Sequence, residues 1–405
     1  MNALADRPND IPQEFVKRWS LPEVPEAATC PFRAADGLRA GPDIFYNLLD
    51  EPRNLGAPGH WIVARHSLQK EILQNPEVFS SRRIAGFSAL IGEDWPLVPL
   101  ELDPPEHGQY RDLVNPLFSP RRINELEGGV REAAIELIEV VRKQGGCEFM
   151  EAFGRPFPVG VFMRLMGLPL EDMPTFLDWE ENLLRGPSME ARISAATSIN
   201  SYLLDLIATR RRKPTDDLVS FAIKSELDGK PWSDERVLGF CYLLFVGGLD
   251  TVAAVLGFSF REMAMRPEQQ REIRASAEIV PHAVEEYLRA FGVVQTSRYL
   301  TRDFEFHGFK WKKGERVVIH TSLGSRDDTF YDNPHEIDFH RRETRHLSLA
   351  AGPHRCLGAH LARRELSIAL EEWARRVPEF RITNGEQTVV HALGVMGVDH
   401  LPLSW

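Results

Sequence analysis

The sequence predicts a mainly α protein with a smaller β region. Three observations carry this. Long segments place apolar residues at helical spacing with charges between them, most clearly residues 123–144 and the mostly apolar stretch 233–266. Strand-like pieces are fewer and shorter. No internal repeat or low-complexity linker divides the 405 residues, so the chain reads as one large unit, not as the two or three domains its length would allow.

The elements follow in order. Residues 1–40 read as an extended N-terminal segment, whose first twelve residues are polar and proline-bearing, with no apolar signal region or anchor. Residues 60–64 are strand-like. Pro104 and Pro105 suit the first turn of a helix opening after Asp103. His107 and Arg111, at i and i+4, project from one face of it. The helix 123–144 is stopped by Gly145-Gly146. In 233–266, Ser233 can cap the helix, Asp234 and Glu235 suit its first turn, and Pro267 ends it. A helix over 279–291 precedes strand-like pieces at 298–300, 304–307 and 316–321. A helix over 357–376 and strand-like residues 389–405 close the chain.

Composition narrows the function. A net charge of -11 argues against nucleic acid as a partner. No uncharged apolar run is long enough to span a bilayer, so a soluble, cytoplasmic protein with no membrane partner is expected. The four cysteines, Cys30, Cys147, Cys241 and Cys356, are scattered, with no CxxC or Cys/His cluster. The 13 histidines show no HExxH spacing. Zinc or iron–sulfur binding by this chain is therefore not expected, and neither is a disulfide framework.

Four segments carry candidate chemistry. The first is Leu349-Ala-Ala-Gly352-Pro-His354-Arg355-Cys356-Leu-Gly358, a glycine-bearing loop that delivers one cysteine just before a helix. A thiolate there is stabilised by the helix N-terminus, and the glycines let backbone amides approach it. Such a sulfur suits the proximal side of a haem iron, where it favours O–O cleavage. The other reading is a buried, inert cysteine. The second is Phe245-Val246-Gly247-Gly248-Leu249-Asp250-Thr251, inside the long helix. Its two glycines permit a bulge and a close approach, and Thr251 can bond the i−4 carbonyl or release it. A plain helix-packing contact explains the glycines equally well. The third, Glu286-Tyr-Leu-Arg289, places two charges on one helix face, where they form either a solvated pair or a buried one. The fourth is Asp103-Pro-Pro-Glu-His107 with Arg111, whose cations suit carboxylates or simply face solvent.

In order and spacing, these segments resemble the cytochrome P450 family over nearly the whole chain, from about Asp43 to Trp405. Gly352, Cys356 and Gly358 match its cysteine signature, with Leu349 where the family usually has Phe. The closest likeness is to the bacterial camphor-hydroxylase group, through Gly59-His60-Trp61-Ile62, Leu244–Thr251, Asp303–Gly308 and the ending Leu401-Pro-Leu-Ser-Trp405. The resemblance implies a P450 fold in a single catalytic domain, with haem b (iron protoporphyrin IX) between the long central helix and the cysteine loop. Cys356 would be the iron's axial ligand. His107, Arg111, Arg298 and His354 would bind the propionates. Thr251 would hydrogen-bond dioxygen or its water, and Asp250 would gate proton delivery. Glu286 and Arg289, with Arg341 as a candidate third member, would tie the helix to the run Asn333–Arg341 before the cysteine loop.

The same resemblance implies a monooxygenase that inserts one oxygen atom into a C–H bond. Trp95 stands where camphor hydroxylase holds its ketone with a tyrosine, and it offers an N–H donor. Leu100 and Thr296 replace two further substrate-facing residues. Phe87, Leu243, Val246, Gly247, Val294, Val395 and Met396 complete an apolar pocket, although core packing accounts for any single aliphatic among them. A terpenoid or norisoprenoid ketone such as an ionone is the expected substrate. Electrons would come from an acidic 2Fe–2S ferredoxin fed by an NADH-dependent flavoprotein reductase, docking on Arg65, Arg345, Arg355 and Arg363. Gly108 and Glu343 stand where the camphor enzyme has two cations, so weaker docking is expected. A monomer is expected. Two other readings stay open: a peroxygenase driven by hydrogen peroxide, and a non-catalytic haem-thiolate sensor. Asp250-Thr251 argues against the first, and the lack of a visible output domain against the second.

Overall fold

The computed structural model describes residues 11–49 and 57–405. The first ten residues of the expected N-terminal segment lie outside them. From residue 11 to 40 that segment is not simply extended. It holds four 3-10 turns, the two-residue strand Val16–Lys17 and the helix Pro31–Asp36. The chain forms two compact units, one drawn from residues up to 84, 286–356 and 390–396, the other from 85–285, 357–389 and 397–405.

The first unit is built on a six-stranded mixed sheet. Its order is Val16–Lys17, Ile44–Asn47, His60–Val63, Arg316–His320, Gln295–Leu300, Phe79–Ser80. Arg316–His320 runs parallel to His60–Val63, with Val317 opposite Trp61, and antiparallel to Gln295–Leu300, with Val318 opposite Ser297. Every residue of Arg316–His320 is buried, so its Val-Val-Ile run is apolar without alternation. The expected strand 298–300 is longer than the sequence suggested, beginning at Gln295. A hairpin joins Phe304–Phe306 to Phe309–Trp311 through His307 and Gly308, both at positive φ. Such two-residue turns match the twist of paired strands. Trp61, Phe79, Phe306, Trp311, Val317 and Ile319 share one buried cluster. Side chains of this kind each stabilise a fold by about 1.5–3 kcal/mol.

The second unit is mainly helical. Pro120–Val141 starts three residues earlier than expected, because Ser119 caps it by accepting from the Arg122 N–H. Gly145, at φ 75°, turns the chain after it. Ala359–Arg376 packs along this helix, with Arg131 donating to Glu371 at 2.8 Å. An aromatic core packs Ala359–Arg376 against the helix Asp250–Met265. Phe149 stacks on Phe260 at 4.2 Å, and Trp373 meets Phe260 edge-on at 5.2 Å.

The stretch 233–266 is not one helix. Ser233 caps Asp234–Gly248, accepting from the Arg236 N–H at 3.3 Å. A second helix, Asp250–Met265, follows a break at Leu249. Gly247 and Gly248, each about 1 kcal/mol less favourable in a helix than Ala, weaken the turn just before that break. Asp234–Met265 has the length and mean hydropathy to cross a bilayer, although Asp250 and Arg261 interrupt its uncharged runs. Yet 67% of its most apolar window is buried inside the protein, so its hydropathy is that of a core helix. Pro267 does more than end it, since it opens the next helix, Pro267–Ala275, at a first-turn position. The remaining expected helices and strands appear within two residues as Val280–Ala290, Ala359–Arg376, Val389–Ala392, Met396–His400 and Pro402–Ser404.

Candidate active site

In the first unit the cysteine loop is held by its own backbone. The Cys356 N–H donates to the Leu349 carbonyl at 2.9 Å, and the Arg355 N–H to Gly352 at 3.1 Å. Leu349, which stands in the usual Phe position, thus fixes the loop through its carbonyl whatever its side chain. Gly352 has φ 70°, and a Cβ there would overlap the Leu73 carbonyl oxygen, so only glycine fits. The Cys356 thiol is exposed. His354 is buried two residues before it. Arg298 is buried on Gln295–Leu300, with Nη1 donating to the Ser297 carbonyl at 2.7 Å and to Thr296 Oγ1 at 3.4 Å.

Glu286 and Arg289 lie on Val280–Ala290 and are fully buried. Arg289 grips the Glu286 carboxylate with two parallel bonds, at 2.7 and 2.8 Å. Arg341 Nε donates to both oxygens of Glu286, at 3.0 and 3.1 Å, and the Asp338 N–H adds a bond at 3.0 Å. Arg289 also donates to the carbonyls of Ser325, Pro334 and Glu336. The helix, the run Asn333–Arg341 and the charges thus form one saturated network.

In the second unit His107 and Arg111 lie on Glu106–Val114, His107 buried and Arg111 half-buried. Asp250 and Thr251 begin the helix after the Leu249 break. Thr251 Oγ1 donates to the Gly247 carbonyl at 3.1 Å, the i−4 bond that the sequence allows. The Gly247 position is open, since a Cβ there would meet no atom within 4 Å. Asp250 Oδ1 accepts from Arg185 Nη1 at 3.1 Å. Arg185 ends the helix Met173–Arg185 and donates from Nε to Glu181 at 2.8 Å. Asp250 Oδ2 is buried without a partner.

A second buried carboxyl sits beside this pair. Glu180 is 4% exposed, and its Oε1 has no partner either. Burial and then the Asp250 charge push its pKa up, to about 8. Arg155 is the other nearby cation, placed by a π turn over Met150–Gly154 and donating to the Asp399 carbonyl at 3.1 Å. Glu180, Glu181, Arg185, Arg155, Glu151 and Asp399 line one cavity of about 360 Å³. Glu180, Arg185 and Arg155 escaped the sequence reading. Residues 184–195, which hold Arg185, are a helix end, a three-residue turn and the capped start of Met189–Arg212.

The candidate pocket residues form two sets. In the second unit Trp95 belongs to a buried cluster against which Phe87, Leu100, Leu243 and Val246 pack half-buried. Glu101 pins the loop between them, accepting from the N–H groups of Ala85 at 2.8 Å and Leu97 at 2.9 Å. Tyr242, absent from the sequence reading, lies 5.0 Å from Trp95, ring to ring. Trp95 Nε1 and the Tyr242 hydroxyl are both buried without partners. In the first unit Val294 bridges Val395, and the Met396 N–H donates to Val293 at 2.9 Å, which brings these residues beside Thr296 at the strand's start.

The donors present fit a haem. It needs one soft axial ligand, room at the approaching backbone, and cations for two propionates. In the first unit an exposed thiol and buried Arg298 and His354 match the ligand and the propionate contacts; in the second, Gly247 is unobstructed and His107 is buried. The cations expected to dock a ferredoxin are largely engaged. Arg65 pairs with Asp43, Asp327 and Asp328, Arg363 with Glu285, and Arg345 with Glu343.

Comparison with known proteins yields a consistent set of relatives. The family model described as Cytochrome P450 matches residues 173–377. A probable cytochrome P450 127A1 of Sinorhizobium fredii is 36% identical, covering 98% of this chain and 96% of its own. The crystal structure of CYP101J2 superposes with a TM-score of 0.87 at 32% identity, covering 98% of this chain and 99% of its own. That of cytochrome P450 CYP101C1 gives 0.87 at 30% identity, with the same coverage.

Proposed function

Since the chain belongs to the cytochrome P450 family of haem b monooxygenases, we propose that its substrate is a small hydrophobic ketone, a terpenoid or norisoprenoid such as an ionone. Dioxygen is the oxidant, with electrons from a 2Fe–2S ferredoxin and its NADH-dependent reductase. In this reading the whole chain is one catalytic domain of a monomeric, cytoplasmic enzyme.

Bound haem supplies electron acceptance and oxygen activation; the chain does the rest. Cys356 would hold the iron through its thiolate. Arg298, His354, His107 and Arg111 would hold the propionates by charge-assisted bonds. Glu286, Arg289 and Arg341 keep the run before the cysteine loop in one conformation. Thr251 holds a proton at Oγ1, parked on the Gly247 carbonyl, and rotation of its side chain makes that donor available. Asp250 is restrained by Arg185, and loss of that contact frees it to carry a proton inward. In the second unit Phe87, Leu100, Leu243 and Val246 would exclude water and grip an apolar body, with Gly247 leaving room; in the first, Val294, Val395 and Met396 offer an apolar surface beside Thr296.

One observation carries the choice of a ketone. Trp95 Nε1 and the Tyr242 hydroxyl are donors buried without acceptors among apolar neighbours. An unpaired buried donor is costly, and a substrate carbonyl would relieve it. The test is a spin-state titration of wild type and Trp95→Phe with an ionone and its deoxygenated hydrocarbon analogue. The substitution weakens ketone binding by about tenfold, the value of one hydrogen bond, and leaves the hydrocarbon unaffected. Equal losses for both ligands would remove the ketone assignment. Product formation driven by NADH, ferredoxin and reductase, with little product from hydrogen peroxide alone, separates this reading from a peroxygenase and from a binding protein.

A further inference from the structure

The cavity beside Asp250 ends on a carboxyl that the mechanism above does not use. Its lining runs from Glu151 and Glu181, both exposed, to Glu180, which is buried. The charged groups that face Glu180 come from three elements. Asp250 belongs to the central helix, Arg185 and Glu181 to Glu180's own helix, and Arg155 to the π turn. Two carboxyls, Asp250 and Glu180, thus compete for Arg185. Asp250 takes the guanidinium at 3.1 Å, and no hydrogen bond is made to Glu180 Oε1. Each carboxyl keeps one buried oxygen with no partner, Asp250 Oδ2 and Glu180 Oε1.

We propose that Glu180 is a proton relay between the cavity and Asp250. The inference rests on the monooxygenase reading, in which Asp250 carries protons inward. Glu180 starts as the neutral acid and passes its proton to Asp250 Oδ2 as the Arg185 contact loosens. The Glu180 carboxylate so formed takes up a solvent proton, carried as hydronium on water in the cavity, and the O–H is restored. One proton moves from solvent to Asp250 per pass, and Glu180 ends unchanged. A carboxyl with an ordinary pKa could not serve, because it would be ionised at neutral pH. The burial and the Asp250 charge that push Glu180 up keep it loaded. Placing two acids around one guanidinium also explains why Asp250 need not wait for solvent to reach it directly.

The experiment uses the haem-loaded protein with ferredoxin and reductase, in wild type, Glu180→Gln, Glu180→Asp and Glu181→Gln. Infrared spectra across pH are read first, independently of turnover. The wild-type minus Glu180→Gln difference spectrum shows a protonated carboxylic acid band that persists to neutral pH, the band of buried Glu365 cancelling, and the wild-type minus Glu181→Gln spectrum shows none. Product formed with NADH falls roughly 10²-fold in Glu180→Gln, with a larger solvent isotope effect. Glu180→Asp restores part of the rate, which no purely structural role of the side chain would do. Product formed with hydrogen peroxide, which brings its own protons, changes little. Absence of that band from the wild-type minus Glu180→Gln difference spectrum, or an unchanged rate and isotope effect in that variant, overturns the relay. Failure of wild type itself to form product with NADH would instead overturn the monooxygenase reading beneath it.

Discussion

Glu286 and Glu180 are both glutamates buried on helices beside an arginine, yet their surroundings differ in kind. Glu286 receives bonds from Arg289, Arg341 and the Asp338 amide, and Arg289 spends its remaining donors on three carbonyls. Glu180 shares Arg185 with Asp250 and keeps an oxygen unpaired. In a low-dielectric interior a saturated network is rigid, whereas an unsaturated one retains a free-energy gradient that a proton or a ligand can relieve. Local charge pattern does not separate the two cases; counting unpaired oxygens does.

The comparison breaks most easily on its saturated side. Arg289→Ala strands the Glu286 carboxylate in the interior, a loss of about 3–5 kcal/mol. The variant is expected to give little folded, haem-loaded protein, measured as soluble yield and as the thermal unfolding midpoint of what remains. Retention of the wild-type midpoint would show that the network is not structural.

On the unsaturated side the cost falls on activity. Asp250→Asn removes the acid but keeps its shape and its contact with Arg185. NADH-driven product formation should drop roughly 10²-fold or more while the unfolding midpoint stays near wild type. A fall in midpoint matching that of Arg289→Ala would erase the distinction between the clusters.

How much of this contrast the sequence shows depends on distance along the chain. The cysteine loop, the Ser233 cap and the weak turn at Gly247-Gly248 were readable because their partners lie within a few residues. Arg341 was nameable because the run around it is distinctive. Glu180 and Asp250 are 70 residues apart, and Trp95 and Tyr242 further still. No periodicity says which face of Met173–Arg185 meets the central helix, so a buried acid there looks like any helical glutamate. The split at Leu249 was missed for a related reason: helical spacing continues through it, and only the backbone shows the break.

Linkage sharpens the comparison. Glu180 ionises at about pH 8 in the fold but in the ordinary carboxylate range when unfolded. Between these values the native state binds the extra proton, so stability contributed by this site is present at low pH and is lost as pH rises towards 8. Glu180→Gln should remove that slope. Its stability relative to wild type should grow with pH by up to about 1.4 kcal/mol per pH unit in that window. Denaturant midpoints of both proteins at several pH values measure it. Parallel pH profiles would place Glu180 among ordinary carboxylates.

The smallest effect is expected at the surface, where neither rule of the interior applies. Glu343 accepts from the Arg345 amide at 2.9 Å and from its guanidinium, and Arg345 holds it down to about 2. The pair is solvent-facing on the arginine side, so it adds little to stability. Its larger consequence is electrostatic. It neutralises a cation expected to meet an acidic ferredoxin, and it does so where the camphor-hydroxylase group has a cation of its own. Glu343→Lys raises the local charge by two and releases Arg345. Association with an acidic 2Fe–2S ferredoxin should quicken a few-fold at low salt, and the gain should shrink as ionic strength approaches the range where the screening length is about 8 Å. Stopped-flow reduction rates across a salt series read both quantities, and the unfolding midpoint should not move. A rate that rises without salt dependence would mean that the substitution acts through the fold of the loop, and the engaged cations would then not explain weak docking.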